Sequence, residues 1–306
     1  MKKKYKIGII GLGSLGQHIA KRLLKKFNQV YVYDIDSAKS NLLCAEGARI
    51  IPNMDESLYL CDFLLLALPT PESIQEVVNK IFVQYKSHIS KKYIIDLSTN
   101  SPFMVKKLFE FCNKRNSVFI DSPLTGGVLG AKNGTMTAMV GAKKEIIPFI
   151  NPILNSFCKV IVNVGPSGHG SMTKLLHNML GEIQVYGFAE AFCFAKKIGI
   201  DLNRFYEVLS NGMATSKILT ELYANGAFVG NYDAQASVLT AEKDQRLLLE
   251  LAESHGVKLT FSKIVYSKIK ELLRTGLGHK DVTSAVKLYE KYLSVKIGII
   301  NVDKIL

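Results

Sequence analysis

The stretch "YKIGIIGLGSLGQHIA" (5–20) limits the possible folds more than any other part of the chain. An apolar run feeds Gly11, Gly13 and Gly16 in G-x-G-x-x-G spacing, and Ile19, Ala20, Leu23, Leu24 and Phe27 follow at helical intervals. In a strand–turn–helix unit the first glycine permits the tight turn and the second lets backbone approach a pyrophosphate. The third lets helix and strand pack closely. The helix N-terminus then faces the phosphates. The intervening Leu12, Ser14 and Leu15 belong to the same cofactor-contacting turn. A second strand-like run, "QVYVYDID", reaches Asp34 about twenty residues on, where a carboxylate accepts hydrogen bonds from ribose hydroxyls. Asp34 is followed by Ile35 and Asp36 rather than arginine, so a 2′-phosphate would meet like charge. The pattern favours NAD over NADP. A glycine-rich turn without ligand is the bland alternative, against which strand, spacing and acid all agree.

The runs "ARIIP", "CDFLLLALP", "KYIIDLS", "SVFIDSP", "MTAMVG" and "KVIVNVG" read as further strands, with helical patterns between several of them, as at 71–83 and 102–113. Near-continuous apolar strands alternating with helices imply an α/β fold with a parallel sheet covered on both faces. From Gly170 to about Ile198 the character changes: no strand signal, no proline, and only Lys174, Glu182 and Glu190 charged within 171–195. One long buried helix is expected there, and helical patterns continue to about residue 293. The expected organisation is a Rossmann-type dinucleotide-binding domain over 1–165, a long helix over 166–198 and an all-helical domain over 199–293. The apolar tail 294–306 has no assignment.

Composition narrows the rest. The 306 residues are 48% hydrophobic and 21% charged, enough for one or two cores and against extensive disorder. The net charge of +13 invites a polyanion partner, yet only 6 of the 39 basic residues are arginine and the lysines are scattered. Base and phosphate reading favours arginine, so a solvated lysine-rich surface is expected and no specific nucleic acid. The basic, apolar N-terminus is broken by glycines and followed by "KRLLKK", unlike a secretory signal. No apolar run reaches membrane-spanning length. Five cysteines without CxxC or metal spacing read as reduced thiols in a cytoplasmic protein, with no metal site.

Chemistry is expected beyond the carboxyl ends of the strands. There "LPTPES" (68–73) and "LSTNSP" (97–102) place Pro69 and Thr99 near a nicotinamide, although loops with Ser/Thr caps and proline also start helices. "DSPLTGG" (121–127) sets the hydroxyls of Ser122 and Thr125 beside bare amides at Gly126 and Gly127, a loop able to hold a carboxylate or to make a flexible turn. Lys174 opens the long helix, with His177 and Asn178 beside it on one face. A lysine in a desolvated site can serve as acid or base, or it can reach out to solvent.

These segments, with "GPSGHGSMTKLLHN" and "AEKDQRL", occur in the order that marks the β-hydroxyacid dehydrogenases, the 3-hydroxyisobutyrate dehydrogenase-like and tartronate semialdehyde reductase-like enzymes. The chain resembles this family over about residues 5–293. The resemblance implies that Lys174 is catalytic and Asn178 binds substrate. Ser122, Thr125, Gly126 and Gly127 would hold the substrate carboxylate. Leu68, Pro69, Ser73, Thr99 and Lys243 would contact the cofactor, and Asp244 would be structural. It also implies a homodimer or homotetramer. Thr125 stands where members usually have serine, Leu15 where methionine is common, and His177 where a second asparagine is usual. His177 is expected to face helix packing. Two rivals remain. Imine reductases on this scaffold usually replace the lysine. A non-catalytic dinucleotide-binding module recruited to a polyanion or protein partner has only the +13 charge in its favour.

Overall fold

The computed structural model describes residues 3–83 and 91–302. The chain divides into two compact units, Met1–Lys174 and Leu175–Leu306. Among the described residues no helix is long and apolar enough to cross a membrane.

Among the described residues the first unit holds one nine-stranded sheet. Its strands are β1 (Lys3–Ile10), β2 (Phe27–Tyr33), β3 (Arg49–Ile50), β4 (Phe63–Leu66), β5 (Lys92–Asp96), β6 (Ser117–Asp121), β7 (Leu124–Thr125), β8 (Met136–Gly141) and β9 (Cys158–Gly165). The order 3-2-1-4-5-6 is parallel throughout. It reverses direction between β1 and β4, which opens the crevice where such sheets bind dinucleotides. Beyond β6 the sheet continues through β8, antiparallel to β6 and β7 and parallel to β9. The helices of this unit are α1 (Gly16–Lys26), α2 (Ser37–Ala45), α3 (Ser57–Leu60), α4 (Pro71–Ile81), α5 (Pro102–Asn113), α6 (Gly127–Asn133) and α7 (Ile147–Leu154).

Strand alternation explains why the runs are apolar without a polar face. Ile7, Ile9, Phe63, Leu65 and Ile95 enter one core, whereas Ile10, Leu64, Leu66 and Ile94 enter another on the opposite face. Ile19, Ala20 and Leu23 of α1 bury in the first of these, as their spacing predicts. The glycine cluster after β6 forms the short β7 and α6 rather than a flexible turn.

Helix α8 (His169–Lys197) runs 29 residues, about 1.5 Å per residue along its axis. It is not buried on all sides as the run predicts. Val185, Ala189, Phe192 and Cys193 enter the core of the second unit, but Leu176, Leu180 and Phe194 are exposed. The remaining helices are α9 (Leu202–Asn211), α10 (Val238–Ser254), α11 (Thr260–Arg274) and α12 (Val286–Leu293). The helical pattern at "KILTELYA" becomes a π-helical turn over Ile218–Tyr223. Past α12 the tail through Val302 has no regular secondary structure, yet Ile297, Ile300 and Val302 are buried in the helical core. Residues 303–306 of that tail lie outside the described residues.

Candidate active site

The dinucleotide turn is built by close approach. Gly11 has φ +95°, and a Cβ there would press into the Ala67 carbonyl just past β4. A Cβ on Gly16 would strike the Gly11 carbonyl, so α1 can start so near β1 only with glycine at both positions. Gly13 differs: it is exposed, and nothing lies within 4 Å of where its Cβ would be. The turn therefore leaves open space over bare backbone at the second glycine, where a pyrophosphate needs it. Leu12 is buried beneath, while Ser14 is exposed and Leu15 half-buried.

Asp34, just past β2, is held against this turn. Its Oδ2 accepts the Leu12 N–H at 2.6 Å and its Oδ1 the Asp36 N–H at 2.9 Å. Each oxygen keeps a lone pair for a ribose hydroxyl. The residues thus fit a dinucleotide. One nearby group escapes a reading of the residues next to Asp34. Lys39, in the first turn of α2, brings its Nζ to 3.7 Å from both Asp34 Oδ1 and Asp36 Oδ2. Two carboxylates against one ammonium still leave the position net negative.

The later strand ends carry the other loops. The half-buried Leu68 donates its N–H to Ser98 Oγ at 3.0 Å, which ties the loop after β4 to the loop after β5. Thr70 and Ser73 cap α4 reciprocally, and Pro69 is exposed beside them. Thr99 is half-buried. Beneath it Asp96 is fully buried at the end of β5 and accepts N–H groups from Ser98 (3.0 Å) and the Asn100 side chain (2.8 Å). On β6, Asp121 stands in register with Asp96. It too is fully buried, and its carboxylate accepts the N–H groups of Gly168 (2.9 Å) and Ser171 (2.8 Å). Burial pushes the Asp96 carboxyl up to about 6, against the pull of its hydrogen bonds, and the Asp121 charge adds to the rise. Burial raises Asp121 as well. Asp96, Asn100, Asp121 and Lys39 are absent from the site read off the sequence. For the two aspartates a signal was present: each closes an apolar run, "YIID" and "VFID".

This burial has a measurable consequence. Asp96 ionises near 3.8 when unfolded and near 6 when folded. Between these values the folded chain binds more protons, so stability falls as pH rises through the window and levels off above it. Asp96→Asn removes that dependence. Its stability relative to the parent is therefore expected to rise by up to about 3 kcal/mol between about pH 4 and pH 6. Urea unfolding of both proteins across this range checks it, and a pH-independent difference would refute the assignment.

The substrate-loop candidates lie immediately beyond β6. Ser122 is buried, its N–H donates to the Asp96 carbonyl at 2.7 Å, and its Oγ has no hydrogen-bond partner among the described residues. Thr125 is half-buried at the end of β7. Gly126 and Gly127 are exposed with φ of +123° and +61°, conformations that favour glycine. Lys174 is half-buried in the second turn of α8.

In the second unit, Asn178 donates from Nδ2 to Asp244 Oδ2 at 2.6 Å, and Lys243 Nζ lies 3.2 Å from Asp244 Oδ1. Asp244 is buried, so it orients the amide and anchors the second lysine at once. His177 does not pack as expected. It is exposed, and its Nδ1 lies 3.1 Å from Asn178 Oδ1, which it reaches as a donor when Nδ1 carries the proton. The reason is angular: one residue before a side chain that turns to Asp244, it points away from the core that Leu175 enters.

Residues 6–165 match the family described as the NAD binding domain of 6-phosphogluconate dehydrogenase, and residues 168–289 that described as NAD-binding of NADP-dependent 3-hydroxyisobutyrate dehydrogenase. The chain belongs to the β-hydroxyacid dehydrogenase family. It is an oxidoreductase acting on CH–OH with a nicotinamide dinucleotide. This β-hydroxyacid dehydrogenase is 27% identical over 298 residues to 2-(hydroxymethyl)glutarate dehydrogenase of Eubacterium barkeri, covering 97% of this chain and 99% of the relative. Its fold matches Mycobacterium tuberculosis 3-hydroxyisobutyrate dehydrogenase, solved with L-serine, at a TM-score of 0.82 and 20% identity, covering 94% and 99% of the two chains. An imine reductase from Bacillus cereus superposes less well, with a TM-score of 0.61 at 16% identity, covering 93% and 99%.

Proposed function

We propose that this dehydrogenase interconverts a small β-hydroxyacid and its semialdehyde or oxo acid with NAD, using Lys174 to carry the hydroxyl proton. The observation that carries the reading is the junction after β6. There the unpartnered, buried Ser122 hydroxyl follows Asp121, whose carboxylate holds the entry to the helix bearing Lys174. Gly11, Leu12, Gly13, Ser14, Leu15, Gly16 and Asp34 bind the dinucleotide, with Leu68, Pro69, Ser73, Thr99 and Lys243 as further contacts. Ser122, Thr125, Gly126 and Gly127 hold the substrate carboxylate, and Asn178 the substrate oxygen. The nicotinamide supplies or accepts the hydride. Lys174 takes the hydroxyl proton in oxidation and returns it in reduction. Residues 1–165 are the dinucleotide-binding domain, 166–198 the connecting helix and 199–293 the helical domain. The exposed Leu176, Leu180 and Phe194 of α8 support self-association as a homodimer or homotetramer. The five free thiols fit a cytoplasmic enzyme.

A panel of β-hydroxyacids and semialdehydes, followed by NADH absorbance, tests the activity. Turnover of a short hydroxyacid supports it, and turnover of cyclic imines alone would favour the imine reductase reading. The cofactor preference is a separate expectation. Asp34 and Asp36 leave net negative charge despite Lys39, so kcat/KM should favour NAD over NADP by at least about tenfold, or about 1.4 kcal/mol. Asp34→Ser should erode that ratio. Equal use of NADP by the parent enzyme would overturn the assignment.

A further inference from the structure

We propose that Asp121 is a positioning residue for the proton carrier: its buried carboxylate fastens the first turn of α8 to the end of β6 and so fixes where Lys174 stands. The proposal rests on the reading of Lys174 given above.

A fully buried carboxylate needs donors. Asp121 finds them at the entry of α8, where the Gly168 N–H meets Oδ1 and the Ser171 N–H meets Oδ2. N–H groups at a helix start have no intrahelical acceptor, and a negative charge there is favoured by the helix dipole. Both partners are donors, so the interaction calls for a carboxylate. An asparagine at this position accepts through its oxygen but turns its own NH2 toward the second N–H.

Packing makes the contact rigid. A Cβ on Gly170 would fall 2.5 Å from the Met139 carbonyl oxygen and 2.8 Å from that of Asp121. A Cβ on Gly141 would fall 2.8 Å from Asp121 Cγ. Helix entry, β6 and β8 therefore meet closely enough that glycine is required from both sides. Lys174 follows Ser171 by three residues, one turn along the same face, so a shift of the first turn is passed to the lysine. Ser122, the next residue after Asp121, starts the carboxylate loop.

The test is a double-mutant cycle on the intact enzyme. Asp121→Asn should lower kcat about tenfold and Asp121→Ala about a hundredfold, the cost of misplacing a reacting group by about 1 Å. NADH affinity should stay within about twofold and substrate KM within about threefold. Because Asp121 acts through Lys174, adding Asp121→Asn to Lys174→Ala should cost nothing further in kcat. A purely structural contribution would multiply in full in that background. Gly170→Ala keeps Asp121 in the chain but presses a methyl against its carbonyl and Oδ2 and against the Met139 carbonyl, which pushes the helix entry off the strand end. It should reproduce the same signature and serves if the Asp121 variants do not fold. An unchanged kcat in Asp121→Asn, or costs that multiply fully, overturns the proposal while leaving Lys174 as the proton carrier. A Lys174→Ala enzyme with parental kcat instead overturns the catalytic reading itself.

Discussion

Lys174→Ala is expected to fold, to bind NADH as the parent does, and to lose about two to four orders of magnitude in kcat, the usual worth of a general acid–base group. The fold should survive because Lys174 is half-buried and is not among the residues that form the core clusters. Dinucleotide binding should survive because the Gly11–Gly16 turn and Asp34 are held by one another, through the Leu12 N–H and the Gly11–Gly16 approach, and not by α8. The loss should fall on kcat because a proton must leave or join the substrate oxygen as the hydride moves. Lys174→Arg should not restore activity, since a guanidinium does not release its proton near neutral pH. Steady-state kinetics with the best substrate, paired with an NADH fluorescence titration, separates the two effects. A loss of NADH affinity equal to the loss of rate would make Lys174 a cofactor contact. A parental kcat would leave it a helix residue reaching for solvent.

The parts of this molecule that follow from local pattern were legible in the sequence. The central strand β4 is buried along its whole length on both faces, so it had to be apolar throughout, and "DFLLLALP" could hardly have been otherwise. Gly11, Gly13 and Gly16 were readable because backbone approach excludes side chains wherever it occurs. What escaped was decided by residues distant in sequence. Asp96 and Asp121 look like ordinary strand-end residues until β5 and β6 pair and the entry of α8 supplies the donors to Asp121, 47 and 50 residues later. Lys39 is the exception: it stands about one helical turn past Asp34 and reaches it from the first turn of α2. His177 could not be placed from helical spacing alone, because its neighbour turns to Asp244, 66 residues further on. The exposed side of α8 was misjudged for a related reason: a run that is apolar all round does not state which of its residues one chain covers.

The tail shows the same limit with a larger consequence. A chain ending at Leu293 is expected to lose the native packing of its helical unit. Ile297, Ile300 and Val302 are buried among Phe192, Tyr206 and Phe228, so their removal strips the core rather than a surface strand. Each such side chain is worth about 1.5–3 kcal/mol on burial. Three of them approach the 5–15 kcal/mol, roughly, that holds a typical domain. The polar connections fail together with the apolar ones. Ile300 donates its N–H to the Phe228 carbonyl at 2.8 Å, and Asn301 donates to Asn203 Oδ1 at 2.8 Å. Glu290, buried on α12, accepts the Ile297 N–H at 3.0 Å and meets the Nζ of Lys287 and of Lys296. Burial pushes this carboxyl upward, but those partners win and hold it below the ordinary glutamate range. Truncation removes the Ile297 N–H and Lys296 and leaves the charge with Lys287. Because the chain has no tryptophan, the buried Tyr186, Tyr206, Tyr223 and Tyr289 report on this unit by near-ultraviolet circular dichroism. That signal should collapse in the truncated chain, while Ile300→Ala in the full-length chain should cost about 2–5 kcal/mol in urea unfolding. A truncated protein with the parental tyrosine signal and melting temperature would show that helices α8–α12 and their connecting loops close this core without the tail.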